Sequence, residues 1–401
     1  MRCRLALVAV LLAALVVPVS SAGSPGLKTT LTNVLRAPTL SLARTAAIAV
    51  DTTTGEVLFA HNASVSVVPA SNEKLPVSWA ALTRLGSEYR FHTELRGVGS
   101  RAGSSWNGNL VLVGYGDPTL ATSDLAVLAR TVRARGIKRV TGRILGDESA
   151  FDAKRDAPGW KASFLGGETP PLSALVVDRA RGWPKNSPPV LAARWLREAL
   201  IAQGVRVDGD AWLGSAPVES FVLARDWSAS LASIVKRMNR DSDNFLAEML
   251  LKHLGSTGGV RGSTVGGAQV VLEEMRAARI PTAGVRIVDG SGLSRLDRVT
   301  AVALVGVIRA GLENPRIRSA FVSSLAVAGR SGTLDDRLLS LTGAVVGKTG
   351  TTSLACTLSG LVRGSIAFAV LQNGDPVSYW SARSAQDRFV LALAQRTSGS
   401  S

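Results

Sequence analysis

Cysteine and histidine are nearly missing from this chain: its 401 residues hold two cysteines and three histidines. Cys3 sits in an N-terminal apolar leader, so the processed chain keeps Cys356 alone, which excludes an internal disulfide. The setting of Cys356, LACTL, reads as a strand with a buried structural thiol. His61, His92 and His253 are widely spaced and lack acidic or second-histidine partners, so no zinc signature and no histidine-based triad can be assembled from sequence. A Gly-x-Ser-x-Gly elbow is absent too. Aromatic residues are only 5% of the chain and the positive residues are scattered, which argues against a nucleic-acid partner.

Long apolar runs are confined to the start. Arg2 and Arg4 precede an apolar stretch from Leu5 to Val19 that ends in Ser20, Ser21 and Ala22. This is the pattern of a secretory signal peptide cleaved after Ala22. Cys3 precedes the apolar stretch rather than following it, where a lipid-anchored cysteine would lie. No later segment approaches the roughly 18 apolar residues that a spanning helix needs. The expectation is an exported, extracytoplasmic protein, released or held peripherally. Its formal charge of +16 stays strongly positive after Arg2 and Arg4 are lost, and favours anionic wall polymers or lipid head groups as electrostatic contacts.

The chain is long enough for a large core in two domains. A loose leader and a helix near Leu31–Leu35 come first. Ala46–Val50 and Glu56–Ala60 flank Asp51–Gly55 as a hairpin. A helix is expected from about Ser71 to Leu85, with Pro76 close enough to its first turn that the missing amide donor has no partner to lose. Between Arg90 and Asp226 the texture changes to short strands and turns, with one helix in VLAARWLREALIAQG. A helical region Leu231–Leu254, helices Gly266–Ala278 and Val299–Leu312, a hairpin Leu354–Gln372 and an amphipathic helix Trp380–Gln395 follow.

Three short motifs carry chemistry. Ser71-Asn-Glu-Lys74 sets a serine one helical turn ahead of a lysine, a spacing that brings Cβ atoms to roughly 5–6 Å. Ser233-Ile-Val-Lys236 has the same spacing, so the pattern alone is weak. Only the first is followed by Ser242-Asp-Asn244 and then by Lys348-Thr-Gly350, and the second reads as structural because it sits nine residues before Ser242. The ordered trio is that of penicillin-binding proteins and class A β-lactamases. A serine hydroxyl needs a base, and a lysine serves as one only when desolvation and positive neighbours lower its pKa. Lys348 is the expected positive neighbour of Lys74. Asn244 would hold Lys74 and a substrate amide, Ser242 would pass a proton to the leaving amine, and Lys348 with Thr349 would bind a carboxylate. Gly350 would let a substrate backbone lie along the strand, and the amides of Ser71 and Thr351 would form an oxyanion hole.

Beyond the trio, GNLVLVGYGDPTL, GDESAFD, DAPGW, MNRDSDNFLAEML, VDGSGLSR, AGRSGTL and VGKTGTT run through nearly the whole chain after the leader. Through them the chain resembles the D-alanyl-D-alanine carboxypeptidases and endopeptidases of peptidase family S13, the penicillin-binding protein 4 type. The resemblance implies an α/β (α+β) fold: a serine β-lactamase/DD-peptidase-like domain, its antiparallel sheet flanked by helices, from residues 23–90 and 222–401. A smaller mixed α/β domain, residues 91–221, would be inserted, in keeping with the roughly 170 residues between Ser71 and Ser242. It further implies peptidoglycan stem peptides as substrates, β-lactam antibiotics as covalent inhibitors, and no cofactor or metal. Ser71 would be acylated with Lys74 as base, and Ser242, Asn244, Lys348 and Thr349 would complete the site. Ser291 and Arg295 would lie at the cleft edge, with Arg295 facing a carboxylate of the stem-peptide side chain.

The chain departs from the resemblance after DAPGW, where relatives often place an acid to receive an ammonium: here stands Lys161-Ala-Ser-Phe164, and the nearest acid is Glu168. A non-catalytic peptidoglycan-binding protein and a β-lactamase remain the alternatives, distinguished by acylation and by turnover of a penicillin.

Overall fold

The computed structural model describes residues 25–37 and 39–397; the signal segment ending at Ala22, with Cys3, lies outside the described residues. Six antiparallel strands form one sheet, in the order Ala326–Val327, Val345–Thr351, Ala355–Val362, Ile366–Asn373, Thr45–Asp51, Val57–His61. The chain's early hairpin thus joins the late one through Thr45–Asp51 and Ile366–Asn373, Ile48 opposite Ala369. Successive side chains on a strand point to opposite faces. Ile48 and Val50 therefore enter one core and Ala47 and Ala49 another. Helices Lys74–Leu85 and Ala301–Glu313 cover the first face, and Pro25–Leu35 and Tyr379–Thr397 the second. This burial on both sides explains why IAFAVL in Ile366–Asn373 is continuously apolar instead of alternating.

A second, mixed sheet of seven strands lies between residues 90 and 230, with helices Thr122–Ala134 and Pro188–Ala202 packed on it around a core of its own. Its strands Arg90–Ala102 and Phe221–Ser230 pair antiparallel, Arg90 opposite Ser230. The chain consequently leaves the helical layer after Leu85 and re-enters it at Leu231 from neighbouring strands. A seam joins this unit to helix Asn244–Leu254: Phe151, Leu172 and Val176 pack with Phe245 and Met249. Within the seam the buried Lys252 Nζ donates to Asp152 Oδ1 at 2.5 Å and to the Lys154 carbonyl at 2.7 Å.

Two expected helices change at the places that matter most. The helix predicted over Ser71–Leu85 begins as a 3-10 turn, Ala70–Glu73, and becomes α-helical at Lys74. Pro76 then falls in the first α-helical turn, where no hydrogen-bond donor is needed. The helical region predicted over Leu231–Leu254 is two helices, Leu231–Arg240 and Asn244–Leu254, broken at Ser242, whose φ of 59° lies in the left-handed region. Asp243 caps the second helix by accepting from the Leu246 amide at 3.1 Å. The other expected helices match their places to within a few residues, with Pro25–Leu35 longer at its start, whereas Thr122–Ala134, in the span expected to hold one helix, and the short Arg318–Ser323 were not expected. Cys356 is buried and free in strand Ala355–Val362.

Candidate active site

Lys74 is the hub of the site. It is fully buried, and its Nζ lies 3.0 Å from Ser71 Oγ, 2.8 Å from Asn244 Oδ1 and 2.7 Å from the Ser291 carbonyl oxygen. Burial pulls its pKa down to about 8, while the nearby acids Asp289, Glu248, Asp243 and Glu73 oppose the fall. Burial, rather than the expected charge of Lys348, is therefore the main cause. Lys348 is itself fully buried and lowered well below the usual lysine value, by desolvation and then by Lys74. Its Nζ donates to Ser242 Oγ at 2.8 Å and to the Thr349 carbonyl at 2.7 Å.

Each part is positioned by a local backbone feature. Ala70, just before Ser71, has φ 47°, a left-handed value that costs a non-glycine residue roughly 1–2 kcal/mol. Asn72, on the same turn, reaches the sheet: its Nδ2 donates to Thr357 Oγ1 at 2.6 Å and to the Lys348 carbonyl at 3.2 Å. Strand Val345–Thr351 runs so close to this turn that a Cβ on Gly350 would sit 2.8 Å from the Ser71 amide nitrogen. Thr349 Oγ1 donates to Thr333 Oγ1 at 2.7 Å, so AGRSGTL borders the site. Thr351 is exposed at the strand end.

Ser71, Lys74, Ser242, Asn244, Lys348, Thr349, Gly350 and Thr351 are thus brought together. Ser291 differs from expectation: it is fully buried, its hydroxyl turned towards Asp289, and what reaches the site is its main-chain carbonyl. Asn244 also has less freedom than expected, because its Nδ2 donates to the Glu168 carbonyl at 3.3 Å. Arg295 is exposed and lines a cavity of about 260 Å³ beside the site, together with Lys161, Phe164, Glu168, Leu293 and Thr351. Ser233 and Lys236 are exposed on helix Leu231–Arg240, and Ser233 Oγ meets Ser230 Oγ instead.

The profile of the D-Ala-D-Ala carboxypeptidase 3 (S13) family matches residues 27–189 and 182–396. The chain belongs to that family. It is 33% identical to the carboxypeptidase DacB of Mycolicibacterium smegmatis, covering 89% of this chain and 83% of that one. It is 30% identical to a D-alanyl-D-alanine carboxypeptidase of Actinomadura sp., covering 90% and 83%. The crystal structure of penicillin binding protein 4 from Haemophilus influenzae shares its fold, with a TM-score of 0.80 at 21% identity over 92% of this chain and 98% of that one. As in that family, the chain is a serine-peptidase-type hydrolase of mixed α/β fold.

Sequence reasoning missed several residues of this S13 site. Glu73 and Glu248 are fully buried acids beside Lys74. Glu73 stands between the two members of its motif, and Glu248 follows Asn244 by four residues, so helical periodicity could have flagged it. Burial raises the pKa of both. Trp160 of DAPGW donates from Nε1 to Asp289 Oδ2 at 2.8 Å, which fastens that motif to VDGSGLSR.

Proposed function

We propose that this chain is a serine D-Ala-D-Ala carboxypeptidase, with DD-endopeptidase action on cross-links open to the same machinery, and that Ser71 is its acylated residue. The observation that carries the reading is Lys74: a desolvated amine 3.0 Å from Ser71 Oγ with a pKa of about 8. Ser71 Oγ attacks the carbonyl of a D-alanyl peptide bond as Lys74 Nζ takes its proton. The amides of Ser71 and Thr351 receive the oxyanion. The proton reaches the leaving amine through Ser242, which Lys348 holds at 2.8 Å, and the C–N bond breaks. Water then hydrolyses the ester and returns Ser71. Carboxypeptidase and endopeptidase action differ only in whether free D-alanine or a neighbouring chain leaves.

Lys348 and Thr349 bind the terminal carboxylate. The cavity lined by Arg295, Lys161 and Glu168 takes the stem-peptide side chain, with Arg295 meeting a carboxylate there. We assign residues 90–230, the span of the mixed sheet, to the accessory domain, which ends later than the expected residue 221 because strand Phe221–Ser230 pairs with Arg90–Ala102, and the flanking residues to the peptidase domain. The enzyme works outside the cytoplasmic membrane after removal of residues 1–22. Among the described residues no helix is long and apolar enough to cross a membrane. The excess of positive charge draws the protein to anionic wall polymers.

Mass spectrometry after incubation with benzylpenicillin tests the reading. A stable adduct on the peptide that holds Ser71, absent from Ser71→Ala, is the expected result. A folded sample that takes no adduct would leave a non-catalytic wall-binding protein, and rapid turnover of the antibiotic would point to a β-lactamase.

A further inference from the structure

Glu248 lies one helical turn beyond Asn244 on helix Asn244–Leu254 and is wholly buried. Its Oε1 accepts two main-chain hydrogen bonds, from Gly290 N at 3.0 Å and Ser291 N at 2.8 Å. Both amides belong to the turn Asp289–Gly292, which Asp289 braces from within: Oδ1 accepts from Gly292 N and Oδ2 from Ser294 N, each at 2.7 Å. The same turn presents the Ser291 carbonyl to Lys74 Nζ at 2.7 Å. At its far end Gly292, with φ 80°, backs onto the nucleophile's turn so closely that a Cβ would fall 1.8 Å from the Ala70 carbonyl oxygen.

A neutral lysine amine has two N–H groups and one lone pair. Asn244 Oδ1 and the Ser291 carbonyl can each take one N–H, which leaves the lone pair facing Ser71 Oγ. Asn244 does this directly. We propose that Glu248 is a positioning residue for the peptidase reaction: by holding the Gly290 and Ser291 amides it fixes the Ser291 carbonyl that orients Lys74 towards Ser71. One helix thereby sets both acceptors of the base, Asn244 through its side chain and Glu248 through the turn. The proposal rests on the assignment of Ser71 and Lys74 made above.

The environment explains how an acid can fill this role without locking Lys74 as an ammonium. Burial and the neighbouring Asp289 push Glu248 up to about 8, so near neutral pH it is largely uncharged. Its Oε2 has no hydrogen-bond partner among the described residues. The other titratable groups acting on Lys74 are the acids Asp289, Asp243 and Glu73, and Lys348 nearby is itself held well below the usual lysine value by burial.

The test compares Glu248→Gln, Glu248→Asp and Glu248→Ala with the wild type, each verified as folded, by the second-order rate of acylation by benzylpenicillin across pH. Glutamine keeps an oxygen acceptor at the same reach, so the plateau rate of Glu248→Gln stays near that of the wild type. Its acidic limb stays close to that of the wild type, because Glu248 is largely uncharged below about pH 8. Aspartate keeps the acid but withdraws the acceptor, and alanine removes it; both slow acylation by about tenfold to a hundredfold, the cost of a misplaced catalytic group. Wild-type plateau rates in Glu248→Asp or Glu248→Ala overturn the proposal, and so does a Glu248→Gln enzyme slowed as much as Glu248→Ala. Where alanine prevents folding, the glutamine and aspartate variants decide alone. A wild type that takes no adduct on Ser71 brings down the Lys74 assignment and this proposal with it, whereas an acylated wild type beside unaffected variants removes only the role of Glu248.

Discussion

The chemistry proposed for Ser71 and Lys74 depends on burial. In water a lysine is almost wholly charged at neutral pH and cannot accept a proton; inside the site desolvation lowers Lys74 to about 8, against the pull of four acids. The amine acts as a base only when neutral, and its neutral fraction grows as pH rises through that value. The rate of acylation of Ser71 by a β-lactam should accordingly climb between about pH 7 and 9 and then level, as followed by stopped-flow. Lys74→Ala should lower the plateau by roughly 10²–10⁴, the range for loss of a positioned general base. The second Ser-x-x-Lys match shows the same point from the other side. Ser233 and Lys236 share the spacing but are exposed, and their environment supplies neither desolvation nor a third group.

Strand Val345–Thr351 and the turn Ala70–Glu73 form one device. Asn72 ties the turn to the strand at Lys348 and to the next strand at Thr357, while Gly350 allows the close approach of strand and nucleophile. A methyl group at residue 350 would lie 2.4 Å from Thr357 Oγ1 and 2.8 Å from the Ser71 amide nitrogen, so turn and strand must separate to admit it. Gly350→Ala should therefore lose acylation by about 100- to 1,000-fold, the usual cost of an oxyanion donor, in a protein that still folds. Benzylpenicillin kinetics beside near-UV circular dichroism would measure both parts. The break at Asp241–Asp243 is a comparable device. Left-handed Ser242 turns its hydroxyl to Lys348, while Asp243 restarts the helix that carries Asn244 and Glu248.

The unit built on the mixed sheet is not a loose appendage, because it is anchored on the adjacent face of the helix that serves the site. Helix Asn244–Leu254 directs Asn244 and Glu248 towards Lys74 and lays Phe245, Met249 and Lys252 in the seam. The ion pair there is asymmetric: the Lys252 side chain is 0% exposed and that of Asp152 is 29% exposed. Asp152→Ala strands a buried ammonium and should destabilise the protein by on the order of 3 kcal/mol. Lys252→Met leaves a carboxylate that water can reach, and should cost clearly less. Urea unfolding of the two variants would show the difference.

Much of this was legible in one dimension. The apolar runs, caps and turn residues placed the two hairpins and most helices outside the mixed-sheet unit, where helix Thr122–Ala134 went unseen, and the three motifs named the serine, both lysines and the asparagine, because catalytic chemistry restricts residue type and short spacing. Cys356 in its apolar strand was readable for the same reason. What the linear pattern could not carry is everything that depends on distance between remote segments. The left-handed Ser242 looked like the middle of a helix, since its conformation is imposed by contacts and not by local propensity. Ser291 read as a cleft side chain, yet it is the peptide carbonyl that reaches Lys74, and every residue has one. Glu73 and Glu248 carried no signal of their own, because nothing in the linear pattern shows that they are buried beside Lys74. Sequence by itself determined which chemistry was available; only tertiary packing, by excluding water from Lys74 and gathering acids and carbonyls around it, decided that the lysine sits desolvated against Ser71.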